Sequence, residues 1–200
     1  MTRRFAVTWD YRCPFARNAH EHVLAGLGSG AGWEVQFLVF SLEQAHVEEG
    51  GTPVWEEPER HPGLAANLAG VVVRDREPDK FLAAHAALFA ARHDKGLDLR
   101  DPSVIGSSLD AAGVDGASVL AELKEGWPLE VLRAEHTDAV GRLSVFGVPT
   151  FISGDDAVFV RLMNRPMGDA EVARATIDRV LDLIAGFPEL NELKHTVVLR

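Results

Sequence analysis

The sequence predicts an α/β domain whose one sheet is assembled from both ends of the chain, with a block of helices between. Three observations predict it. Strand-like alternation occurs twice near the N-terminus and twice after residue 149. Each of these two regions carries one long helical pattern. Between residues 63 and 144 the patterning is helical throughout. The order is therefore β-α-β, a helical block, then β-β-α.

Phe5-Ala6-Val7-Thr8-Trp9 alternates as a strand does, and Asp10-Tyr11-Arg12 is a short connection. A helix is expected from about Cys13 to Leu27. Pro14 suits its first turn, where a missing N–H costs nothing, and Gly28 and Gly30 end it. The second strand is expected over Trp33–Phe40. Two strands joined by a helix should be parallel, with a right-handed crossover.

Ser41 to Pro62 reads as a polar connection. Pro78 then starts an apolar stretch of helical spacing, Phe81, Leu82, His85, Leu88 and Phe89. Asp101-Pro102 pairs an N-cap with a first-turn proline, and Gly113 fits a C-cap. A short helix around Val119–Leu123 and one from Pro128 to about Gly141 complete the block. Thr150–Ser153 and Ala157–Val160 form a hairpin turning at Gly154-Asp155-Asp156. Asp169 caps the last helix, which buries Ala173, Ile177, Val180, Leu181 and Ile184 and ends at Gly186. Val197-Val198-Leu199 is expected to dock. The sheet-forming domain is thus discontinuous, residues 1–62 and 145–200, and residues 63–144 form an inserted helical subdomain.

The chain has 200 residues, 46% hydrophobic and 25% charged, enough for one ordinary core without metals or crosslinks. Its formal net charge of −10 weighs against nucleic acid and anionic membranes as partners. No apolar segment is long enough to span a bilayer or serve as a signal, which points to a cytoplasmic protein. One cysteine excludes an intrachain disulfide and a cysteine-rich zinc site.

That cysteine, Cys13, falls where the first strand gives way to the first helix. Free N–H groups and the helix dipole favour an anion there. With Arg12 and Arg17 near and Asp10 opposing, the expectation is a depressed thiol pKa, below about 7.5. The plainer alternative is a small buried apolar residue. Val148-Pro149-Thr150 is the second candidate, a proline directly before a strand. The histidines read as satisfied or surface groups, since metal sites need several convergent ligands. His20 lies two helical turns from Cys13, too far to be its base. A pocket beside Cys13 is expected from the sheet core and the inserted helices together.

Cys13-Pro14-Phe15-Ala16 after a strand, with Val148-Pro149-Thr150 before a hairpin, resembles the DsbA-like thioredoxin superfamily. The resemblance runs through the whole chain and includes Asp10 three residues before the cysteine. The ending Phe187-Pro188-Glu189-Leu190-Asn191-Glu192-Leu193-Lys194 is similar to the tail of mycothiol-dependent nitroreductases, cytoplasmic members of that group. The resemblance implies a thioredoxin fold with a helical insertion and a thiol-dependent oxidoreductase with Cys13 catalytic. It implies that Pro149 is cis and lies against Cys13. It implies that Val148 pairs its backbone with substrate, and that Pro14, Phe15 and Thr150 complete the thiol-binding site.

One departure matters. The family motif is Cys-Pro-x-Cys, and Ala16 stands at the resolving position. A dithiol enzyme needs that second thiol to expel a bound partner. A one-cysteine cycle is left, in which a second small thiol releases the first. Mycothiol or glutathione would serve as cosubstrate, with no tightly bound cofactor and no metal. A kappa-type glutathione transferase or isomerase-like enzyme, and a degenerate thioredoxin-fold binding module, stay open as alternatives. So does a homodimer.

Overall fold

The computed structural model describes residues 2–197. Its order is β1 (Arg3–Trp9), α1 (Pro14–Gly28), β2 (Trp33–Val39), α2 (Leu42–Ala45), α3 (Ala65–Arg76), α4 (Pro78–His93), α5 (Pro102–Asp110), α6 (Gly116–Glu122), α7 (Trp127–Leu143), β3 (Thr150–Ser153), β4 (Asp156–Phe159) and α8 (Ala170–Gly186). The four strands form one mixed sheet in the order β2-β1-β3-β4. β1 runs parallel to β2 and antiparallel to β3, and β4 returns antiparallel to β3. This is the thioredoxin arrangement, with α3–α7 lying between β2 and β3 in the chain.

Local chemistry sets the boundaries. Pro14, Pro78 and Pro102 open α1, α4 and α5, where the absent N–H would have had no partner. Asp101 and Asp169 accept from Ser103 N–H and Val172 N–H and so cap α5 and α8. α8 buries the five residues that its apolar spacing marks. α5 stops at Asp110, short of Gly113, which bends the following turn at φ +81°. The β3–β4 turn is tighter than the sequence pattern suggests. Ser153 pairs with Asp156, so only Gly154 and Asp155 lie between, with Gly154 at φ +64°. Val197 is exposed, so it does not dock; Val198 and Leu199 lie outside the described residues.

The helical block is tied to the sheet by polar groups as well as apolar ones. On β2, an edge strand, Val39 N–H donates to Glu135 of α7 at 2.6 Å, and the Phe37 carbonyl accepts from Arg74 of α3 at 2.8 Å. Arg74 and Glu135 pair at 2.8 Å, so the C-terminal part of this edge is covered. α3 also meets the β1–α1 connection closely. A Cβ at Gly70 would lie 2.6 Å from the Tyr11 hydroxyl oxygen, which leaves room only for glycine.

Under this junction lies a buried polar chain. His20 Nε2 is 3.0 Å from the Thr8 carbonyl, which can only accept, so that nitrogen carries the hydrogen. His20 Nδ1 therefore accepts from His85 Nε2 at 2.9 Å, and His85 Nδ1 accepts from the Tyr11 hydroxyl at 2.7 Å. All three side chains are fully buried. Burial holds His20 down to about 4, and His85 well below the usual histidine range. Burial likewise holds His136 down to about 4.

Acid sensitivity follows. Above pH about 6.5 these histidines are neutral in both the folded and the unfolded chain. Below it the unfolded chain takes up protons that the folded protein refuses, so stability falls as pH drops from about 6.5 towards 4. His20 alone accounts for about 3 kcal/mol across that window. Urea midpoints should therefore decline steadily between pH 7 and 5. A flat profile would mean that the chain accepts the protons in place.

Candidate functional site

The topology brings three chain segments to one end of the sheet. Cys13 follows the C-terminal end of β1. Because β3 is antiparallel to β1, with Val7 opposite Phe151, the start of β3 lies beside that end. Because Thr150 pairs with Phe159, the residues after β4 arrive there too.

Cys13 is the N-cap of α1, and its Sγ accepts from Ala16 N–H at 3.4 Å. The Val148–Pro149 peptide is cis. The Cys13 thiol lies 3.3 Å from the Val148 carbonyl and donates to it. Pro149 is buried, and its own carbonyl accepts from Val160 N–H at 3.1 Å, which anchors the loop to the segment after β4. Thr150 is spent internally. Its hydroxyl donates to the Gly147 carbonyl at 2.7 Å and its N–H to the Thr8 hydroxyl at 2.9 Å, and the residue is buried. It braces the loop and presents no side chain to a substrate. Pro14 is exposed and Phe15 half-buried.

The thiol itself corrects the sequence expectation. Burial pushes the Cys13 pKa up, and the donated N–H bonds from Ala16 and Phe15 only partly offset this. Asp10 pushes it further up, while Arg161 pulls it down. The two arginines expected to help are occupied elsewhere. Arg12 pairs with Asp10 at 3.3 Å and Glu43 at 3.0 Å. Arg17 pairs with Asp94 and, at 3.6 Å, with Glu21. The resting group is thus a protonated thiol hydrogen-bonded to a carbonyl.

Arg161 is the residue that the sequence reading missed. Its guanidinium carbon lies 4.7 Å from the Phe15 ring centroid and 5.7 Å from that of Phe159. A signal for it was present. With two residues in the hairpin turn, Phe159 must face Thr150, and residue 161 must then pass the Pro149 loop.

Two hollows lie away from Cys13. One, of about 610 Å³, runs along α7 between Glu130 and Arg142; another, of about 450 Å³, lies against Arg4–Ala6, Glu34–Gln36 and Gly154. Neither includes Cys13. The sulfur itself is buried, held between the Val148 carbonyl and the Ala16 N–H. Among the described residues no group of three histidine, cysteine or acidic side chains could hold a metal. His93 donates to the Tyr11 carbonyl at 2.8 Å, a structural role.

The rate of Cys13 alkylation should therefore rise about tenfold per pH unit between pH 6 and 8.5, with a midpoint above the free-cysteine value of about 8.5. A plateau reached below pH about 7.5 would show that the helix terminus outweighs burial.

Residues 7–164 match the DSBA-like thioredoxin domain family. The chain belongs to that family. No curated protein matches by sequence. Among solved structures, a probable DsbA oxidoreductase from Streptomyces coelicolor superposes with TM-score 0.59 at 17% identity, covering 96% of this chain and 93% of its own. The cytosolic disulfide reductase DsbM from Pseudomonas aeruginosa, solved with GSH, gives 0.59 at 16% identity, covering 90% and 100%. A 2-hydroxychromene-2-carboxylate isomerase gives 0.60 at 16% identity, covering 91% and 98%. At these identities the likeness is one of fold. No described helix is long and apolar enough to cross a membrane.

Proposed function

We propose that this DsbA-like thiol oxidoreductase works through Cys13 alone, exchanging low-molecular-weight thiols and disulfides, with mycothiol or glutathione as cosubstrate. One observation carries the reading: the only thiol sits on the N-terminal turn of α1 against the Val148 carbonyl, while a methyl group, Ala16, fills the resolving position. Cys13 loses its proton and bonds to one sulfur of the disulfide, and the other sulfur leaves as a thiol. A second small thiol then attacks the mixed disulfide and restores Cys13. Cys13 is oxidised in the first step and reduced in the second, so no further redox partner is needed. Val148, cis to Pro149, offers backbone to the bound thiol, and Pro14 and Phe15 form its apolar border. The ending at 187–194 favours mycothiol. A solved structure of the same fold with GSH keeps glutathione beside it. A cytoplasmic setting suits such a cycle, because small thiols are kept reduced there.

The test is turnover of a small disulfide with mycothiol or glutathione as sole reductant. Activity that needs no partner protein and vanishes in Cys13→Ser is expected. One observation favours a second reading, a binding module with an idle cysteine: the buried, protonated thiol. Under that reading neither thiol supports turnover and the variant binds partners as before.

A further inference from the structure

Arg161 is exposed, yet it is not free to wander. Its guanidinium lies over Phe15 and within reach of Phe159. Phe146, 72% exposed, packs on Phe159 at 5.2 Å and extends the aromatic floor. The backbone after it is pinned to α1, and Val160 before it donates to the Pro149 carbonyl at 3.1 Å. Asn18 donates to the Leu162 carbonyl at 3.0 Å and His22 to the Asn164 carbonyl at 3.2 Å. The other arginines around Cys13 are neutralised. Arg12 faces Asp10 and Glu43, and Arg17 and Arg165 share Glu21 and Asp94. Arg161 makes no ion pair among the described residues. It is therefore the cation near Cys13 with a charge still to satisfy, preordered on a rigid aromatic surface.

Resting on the exchange reading above, we infer that Arg161 is the docking point for a substrate carboxylate, so that Cys13 prefers small disulfides bearing an acid group, whether the thiol that later releases it is charged like glutathione or uncharged like mycothiol. The protein's net charge of −10 repels such molecules at a distance, so a preference for them has to be local. Planar guanidinium suits a carboxylate, and the aromatic floor suits the methylene carbons between carboxylate and sulfur. The reaction is the one already described. The disulfide's S–S bond breaks as Sγ bonds to the docked half, and the other half departs with the electron pair and a proton.

Three disulfides of similar size test it: dithiodipropionate, hydroxyethyl disulfide and cystamine, which are anionic, neutral and cationic. The rate of Cys13 adduct formation is measured for each by intact mass and divided by its rate with a free cysteine peptide. The native protein should favour the anionic over the cationic disulfide by on the order of fivefold, the size an exposed ion pair supports. Arg161→Gln should bring that ratio to one or below, and Arg161→Lys should keep part of it. Any change in Cys13 acidity alters all three rates alike and drops out of the ratio. Arg133→Gln, on α7 away from the site, removes the same unit of charge and should leave the ratio intact. A native ratio of one, or a preference that survives Arg161→Gln, overturns the docking role while exchange stands. Failure of all three disulfides to modify Cys13 overturns the exchange reading and the docking role with it.

Discussion

Ala16→Cys is expected to shorten the lifetime of a Cys13 mixed disulfide on the order of a hundredfold or more, because release becomes intramolecular. In the native chain only an external thiol can attack the adduct. Residue 16 is one helical turn beyond Cys13, and its N–H already points at the sulfur, 3.4 Å away. A thiol there would attack directly, expel the bound partner and close an intrachain disulfide with Cys13. The variant should thus lose two electrons as a pair and need a reductant to return. Ala16 is fully buried, so the added sulfur should lower stability by about 1–3 kcal/mol. Rapid quench after reaction with an oxidised small thiol checks the lifetime. An adduct as long-lived as the native one would mean that the α1 geometry cannot close the disulfide.

Asp10→Asn should destabilise the protein by about 2–3 kcal/mol and at the same time make Cys13 more acidic. Asp10 is fully buried. One oxygen accepts from Arg12 N–H at 2.9 Å, and the other from Leu42 N–H at 2.9 Å. Both also face the Arg12 guanidinium. An amide would turn a donor towards one of these donors and leave Arg12 with Glu43 alone. Removing the negative charge also removes one of the influences that raise the thiol. Stability and the alkylation midpoint should therefore both fall. A fall in stability with an unchanged midpoint would show that Asp10 acts only as a structural acceptor.

Most of the fold was legible because its signals are local. Alternation in Phe5–Trp9 and Thr150–Ser153, prolines at first turns and aspartates at caps each act within a few residues. The short α2 was hidden in a polar connection. It forms because Ser41 caps Gln44 N–H at 3.1 Å and Asp10 accepts from Leu42 N–H, and the second of these is a long-range contact. The position of Cys13 was legible for the same local reason as the fold. Its acidity was not. Burial depends on where Val148 lands, and the charges of Arg12 and Arg17 depend on Glu43 and Asp94, which no local pattern pairs with them. Arg161 reached the site through hairpin register, a signal that had to be counted rather than seen.

The most direct measurement is the intact mass of the protein after incubation with an oxidised small thiol. The predicted result is a single adduct of one thiol on Cys13, absent in Cys13→Ser and removed by a second small thiol. An unmodified chain whose Cys13 still alkylates fully once unfolded would contradict the account.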